Sequence, residues 1–344
     1  MIELQSDKLA VSFPDLADHP QLTIDFERTL RIPDDGKDYP LPPGLGSFPL
    51  RHIDDYASRV PADWLKRGGV LLPMWQSEAL WLFFQSRYIQ DRGTAYPFAV
   101  KIATGKISAL TGETWRRGLS RNPQDYLVVP KQPWLDGYCV EKGIIRQFVA
   151  MPLGEGYSVE EQVTGQTEFG GMHIEVFPMR REVFERRFPI RPRLRERVAR
   201  YSLDICCSVE APGMGLAPGG RMRQEIYEDP FSIHDWDTEH GSRCFVHLVN
   251  SATWRAITGQ NPPTKPPTAR QYTQAGYPWF DYYDAELKSL EGSGILAKVK
   301  SVTQMGQQKR TEPLPENESV LVTNIVNLRA GLKEHQVRET DFTS

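Results

Sequence analysis

The segment YPFAVKIATGKISALTG, residues 96–112, constrains the chain more tightly than any other stretch. Two runs rich in β-branched and aromatic residues flank Thr104-Gly105, and a glycine there supplies the positive φ that a two-residue hairpin turn needs. Runs of the same kind recur as YLVVP at 126–130, RQFVAMPL at 146–153, MHIEVFP at 172–178, SLDICCSVE at 202–210 and RCFVHLVN at 243–250. RMRQEIYED, residues 221–229, reads as a neighbour of these strands. Each run is of strand length, and none is separated from the next by the long, regular helices that parallel pairing requires.

Helical signals are fewer. LLPMWQSEALWLFFQSRY, residues 71–88, predicts a helix: Pro73 suits a first turn, and Trp75, Ala79, Leu82 and Phe83 share a face at helical spacing. In YSVEEQVTG, Ser158 and Glu161 stand at capping-box spacing and predict a short helix. Pro189 and Pro192 divide residues 180–200 into two short amphipathic helices. The expected fold is therefore α+β, with mostly antiparallel sheet, a few short helices and a proline-rich irregular N-terminal segment.

The expected organisation runs in five parts. Residues 1–65 wrap over a core built elsewhere; 66–178 form an α+β first half; 179–200 form an arginine-rich helical connector; 201–300 form a β-rich second half. Residues 301–344 form a polar tail, in which SVLVTNIVNL can add one edge strand. Upstream of that tail, TGQNPPTKPPT reads as a stiff connector, and YPWFDYYD as an aromatic anchor to the core ahead of a stacking platform for sugars or bases.

Composition narrows the class. Of 344 residues, 40% are hydrophobic and 25% charged, a profile that supports a packed core. The net charge of −3 gives no whole-molecule attraction to nucleic acid or anionic membrane. The opening MIELQSDKLAVSFPDL lacks the apolar core of a secretory signal, and no apolar run approaches the roughly 20 residues that cross a bilayer. Cys139, Cys206, Cys207 and Cys244 are too few and wrongly spaced for a disulfide scaffold or a zinc site of CxxC type. These features predict a cytoplasmic protein that does not engage membrane.

Four places carry candidate chemistry. In SIHDWDTEHGSRCFVH, residues 232–247, imidazoles and carboxylates crowd one loop, and His234, Asp237 and His240 are the candidate ligands for a divalent transition metal. The same loop also reads as a solvated turn, the blander reading, because no HExxH, HxH or EF-hand spacing is present. His247 alternates with apolar neighbours and reads as a packed core histidine. On MHIEVFP, period-two geometry puts His173 and Glu175 on one face as a candidate acid/base pair, although an exposed strand face has the same pattern.

APGMGLAPGGRMRQ, residues 211–224, offers Gly219, Gly220 and Arg221 for an anion nest, or simply a wide turn between strands. The stretch 180–200 holds nine arginines against three glutamates on an otherwise acidic chain. Arg180, Arg181, Arg186, Arg187 and Arg193 are its candidate docking groups, for a protein partner or self-association ahead of nucleic acid. GKIS at 105–108 is not a phosphate loop, since no glycine stands five residues before it.

No nucleophile elbow, cysteine–histidine signature or nucleotide-binding loop completes an enzyme motif. The leading expectation is a binding or assembly protein that docks through its arginines. The alternative is a metal-dependent hydrolase built on the 234–240 loop, with His173 or Glu175 assisting.

Overall fold

Antiparallel pairing propagates through nearly the whole molecule. A computed structural model describes residues 1–16, 18–190, 213–282, 284, 287–311 and 317–328. Its principal strands are β1 (Ile2–Gln5), β2 (Lys8–Ser12), β3 (Gln21–Thr29), β4 (Val70–Met74), β5 (Ala79–Ser86), β6 (Phe98–Thr104) and β7 (Leu127–Val129). They continue as β8 (Gly137–Glu141), β9 (Ile144–Pro152), β10 (Met172–Pro178), β11 (Gly213–Arg223), β12 (Ser242–Asn250), β13 (Trp279–Tyr282) and β14 (Ile325–Leu328).

Adjacent antiparallel pairs run β1–β2–β3–β5–β9–β11–β12–β10–β6–β7. Just past β7, Trp134–Leu135 pairs back onto β5, and the Phe84 amide donates to Pro133 O at 2.8 Å. The ladder thus curls until it returns to one of its own strands. Return pairing of this kind shortens the exposed edge, although among the described residues β1 keeps one partner only. Among the described residues parallel pairing is confined to β4 beside β12, Asp38–Tyr39 beside β11, and β13 beside β14.

The concave side holds the core. Phe26, Leu82, Phe98, Val100, Tyr138 and Phe148 are fully buried. Tyr138 and Phe148 meet edge to face at 4.8 Å, and the Tyr138 hydroxyl bridges Thr104 Oγ1 at 2.8 Å and Leu216 O at 3.1 Å. One hydroxyl therefore links β6 to β11 across the interior.

Among the described residues strand makes up 38% and helix 19%, which overturns the α+β expectation in favour of a mainly β fold. The largest single correction lies at 71–88, where β4 and β5 replace the expected helix. Leu80, Leu82 and Phe84 are buried on one face of β5, while Trp81 and Phe83 are half-buried on the other. Apolar residues on both faces of a two-sided strand satisfied the helical spacing by coincidence. The break between β4 and β5 is a turn in which Ser77 takes φ 68° and the Trp75 amide donates to Glu78 Oε2 at 2.9 Å.

The N-terminal segment is likewise not irregular. β3 pairs with β5 over eight residues, Leu22↔Ser86 to Thr29↔Ala79, and with β2 on its other side. Leu22, Ile24 and Phe26 alternate into the core. The prolines that suggested a wrap lie beyond the end of β3.

Residues 213–223 are strand β11 rather than a wide turn. Glycine serves close approach there: a Cβ on Gly220 would stand 2.2 Å from Pro33 O. Other expectations are matched. β10 spans Met172–Pro178, α2 (Val159–Thr164) carries the Ser158–Glu161 capping box, and β14 forms in the late chain. The hairpin is shifted by one residue, with Thr104 opposite Ile107 and Gly105-Lys106 as the turn.

The connections that cross this sheet bury peptide groups that no ladder reaches. Buried glutamines serve them instead. Gln147, fully buried, accepts from the Ile32 amide at 3.0 Å and donates to Leu30 O at 2.8 Å. Gln132 accepts from the Tyr227 amide and donates to Trp134 O and Glu225 O. Gln124 accepts from the Asp229 amide and donates to Tyr126 O and Tyr227 O.

Gln147→Met keeps the length of the side chain but orphans two buried backbone groups. We expect a loss of about 2–6 kcal/mol in denaturant unfolding, from about 1–3 kcal/mol for each of the two unsatisfied groups. A change below roughly 0.5 kcal/mol, the range of surface substitutions, would show that the amide does not hold the 30–32 segment.

Candidate functional site

The 232–240 loop spends its polar groups on itself. Ser232 caps a single 3-10 turn, Ile233–Asp235, by accepting from the His234 amide, and Asp235 Oδ2 accepts in return from the Ser232 amide. Asp235 is buried and pairs with Arg187 at 2.7 Å. Asp237 Oδ1 accepts from the amides of Glu239 and His240, and the His240 ring Nδ1 lies 2.9 Å from Asp237 Oδ2. Hydrogen bonding to Asp237 holds the His240 imidazolium above its ordinary pKa. His234 is exposed. Among the described residues no three His, Cys, Asp or Glu side chains converge as a metal would require. The loop is a capped, ion-paired turn.

His173 and Glu175 do share a face, as period-two geometry requires, and β6 and β12 complete it. Lys101, Glu175 and Arg243 stand directly opposite one another across three strands. Lys101 is fully buried, with its ammonium donating to Arg116 O at 2.8 Å and Gly118 O at 2.7 Å and pairing with Asp125 at 2.6 Å. All three of its protons are taken. Its role is to clamp the 113–125 loop to the sheet.

Desolvation raises the Glu175 carboxyl against the opposing pull of Lys101 and Arg243, and its buried Oε2 has no hydrogen-bond partner among the described residues. His173 lies flat on Trp115 at 4.3 Å, and burial pushes its pKa down to about 4. Beside the Glu175 carboxyl, whose ionisation burial disfavours, the neutral His173 imidazole presents a ring face. No hydrogen bond joins the two among the described residues.

That surface continues as a ribbon of rings. His173 and Phe245 are 6.1 Å apart, Phe245 and His247 4.6 Å, and His247 stacks on Trp64 at 4.9 Å. His247 is the packed core histidine expected of it: 3% exposed, with Nε2 donating to Gly68 O at 3.0 Å. Burial lowers its pKa to about 4. A hollow of about 180 Å³ opens beside Trp64, Arg67, Phe169 and His247. Sequence reading missed it, because it is assembled from five distant segments. The only local signal was the alternation in RCFVHLVN, which sets Phe245 and His247 on one side.

A larger cleft of about 670 Å³ lies between Leu110–Thr111, Arg121–Gln124 and Leu290–Ile295. Arg121 at its rim is already tied to Asp229 and its carbonyl, and Ser293 inside it is spent on Thr111 O and the start of helix Gly294–Lys298.

The anion nest does not form. Gly219 and Gly220 sit within β11, and Arg221 is divided between Asp38 at 2.7 Å and Glu141 at 2.8 Å. The arginine block is only partly within the described residues, and Arg193 lies outside them. Its described part is α3 (Arg181–Arg187), which packs Val183 and Phe184 inward. Arg180 Nε donates to His234 O at 3.1 Å, and Arg187 reaches Asp235 and covers the Phe231 ring at 5.3 Å. Arg181 pairs with Glu185 along the helix, and Arg186 is exposed.

The histidine environments predict divergent titrations. By NMR, His240 should titrate above an ordinary histidine, and Asp237→Asn should lower its midpoint. His173 and His247 should stay neutral down to about pH 4. The His240 contribution to stability is present below the unfolded-state pKa and is lost as pH rises through the raised folded value. Coincident midpoints for the three rings would overturn these assignments. No family model matches the chain, and no curated protein or solved structure is significantly similar to it.

Proposed function

We propose that this is a binding or assembly protein that engages an acidic protein surface through α3. The observation that carries the reading is the division of labour among its arginines. Arg180 and Arg187 fasten the helix to the 232–236 turn, while Arg181 and Arg186 face solvent. A cation held on an anchored helix loses less freedom on binding than one on a loose arm. Ile190, 67% exposed just beyond the helix, adds an apolar contact beside the charges.

Arg181 forms only an exposed i,i+4 pair with Glu185, and such pairs contribute about 0.3–0.5 kcal/mol. A carboxylate-rich partner can displace it. No described helix is long and apolar enough to cross a membrane, so the membrane plays no part in this reading.

Joint substitution Arg181→Glu and Arg186→Glu should slow association with a carboxylate surface and flatten its salt dependence, since rim charges act mainly on the association rate. Retention on a poly-glutamate matrix and sedimentation of the protein alone would be compared at low and moderate salt. Equal retention and equal sedimentation of parent and variant would count against the proposal. Salt-dependent binding to single-stranded RNA or DNA, with none to poly-glutamate, would replace the acidic protein partner by nucleic acid.

A further inference from the structure

The ring-lined hollow at the end of the aromatic ribbon has the chemistry of a binding site, independently of α3. Its walls are Trp64 from α1 (Ala62–Arg67), Phe169, Leu153 and Met214, with His247 from β12 and Arg67 at its edge. Its volume of about 180 Å³ is close to the roughly 150 Å³ cavity that accepts benzene in an engineered core. One flat ring fits.

Two backbone features make room for it. Gly69 and Gly171 hold positive φ, and a Cβ on either would lie 2.0 Å from Phe245 O or 2.4 Å from Val246 O. Only glycine lets these two connections press against β12. Gly213 takes no such φ, but a Cβ there would already touch the Trp64 ring at 3.2 Å.

The charges around the hollow are unevenly matched. Asp63 pairs with Lys66 at 3.2 Å, and Glu168 pairs with Lys106. Arg67 makes no ion pair among the described residues. Its guanidinium lies over the Phe169 ring at 4.5 Å and near Phe245 at 5.7 Å, which fixes its plane. Among the described residues its guanidinium makes one hydrogen bond, a long one from Nη2 to Glu168 O at 3.3 Å. A planar, oriented fork with most of its N–H groups unspent is suited to a carboxylate.

We propose that this hollow binds a small aromatic monocarboxylate, with the ring against Trp64 and His247 and the carboxylate on Arg67. A single negative charge suits the place better than phosphate, because Asp63 and Glu168 also border it. His247 contributes as a neutral ring. Burial keeps its pKa down at about 4 despite the bond to Gly68 O, so it offers no second cation.

Benzoate is the probe, with benzamide (the same shape without charge), acetate (the charge without a ring) and inorganic phosphate as controls. Titration of the intact protein should show saturable benzoate binding that shifts the Trp64 indole N–H and the His247 ring in NMR spectra. Arg67→Gln should weaken benzoate roughly tenfold or more, the effect of losing a charge-assisted hydrogen bond, and leave benzamide unchanged. Gly213→Val, which keeps Arg67 but fills the space against Trp64, should abolish both.

Arg186→Gln is the control for nonspecific charge and should leave benzoate binding intact, so this test does not depend on the α3 reading. The proposal is overturned if benzoate fails to bind at millimolar concentration. It is equally overturned if Arg67→Gln binds benzoate as the parent does, or if acetate or phosphate binds as well as benzoate.

Discussion

Buried peptide groups must be hydrogen-bonded, and this constraint governs the construction of the whole molecule. A curled sheet satisfies its own strands but not the long connections that cross it. Here side-chain amides complete the pattern. Gln124, Gln132 and Gln147 each present one acceptor and one donor edge to a neighbouring backbone, as a strand would. Gln224 does the same for Asp136, whose amide it accepts and whose carboxyl, raised by burial to about 7, it meets with its own N–H. Segments without regular structure are thereby built into the interior.

Charge is handled by the same economy. Lys101 is buried beneath Trp115, yet carbonyls and Asp125 occupy every ammonium proton. Glu78, raised by desolvation, is held by Arg28 at 2.8 Å and by the Trp75 amide. Arg187 and Asp235 fasten α3 to the turn that precedes β12. The residues that look most reactive in the chain are mostly those that fasten one element to another. Breaking such a partnership leaves a charge buried without its counterpart, a cost of about 3–5 kcal/mol. That cost explains why they are not free for chemistry.

What remains available is peripheral. Arg181 and Arg186 point outward from a fastened helix, and Arg67 lies on a phenyl ring without a carboxylate among the described residues. Both features favour recognition. The ribbon from Trp115 to Trp64 runs over the outer side of β10 and β12, so the proposed ligand site and the fold share the same strands.

Local chemistry alone determined MHIEVFP as a strand, the Ser158–Glu161 cap, the pairing of His173 with Glu175 on one face, and His247 as a core residue. Each rests on neighbours within a few positions, where period and hydrogen-bond geometry act directly. The strands at 71–88 were hidden because a strand apolar on both sides has no period of its own to display. The 232–240 turn could not be told from a metal site, because ligand residues and ion-pair residues are the same residues. Tertiary structure decided between them by supplying Arg187 to Asp235 and leaving Asp237 to His240. It alone brought Trp64, Arg67, Phe169 and His247 around one hollow, since contacts between segments so far apart are set by the curl of the sheet rather than by any local preference.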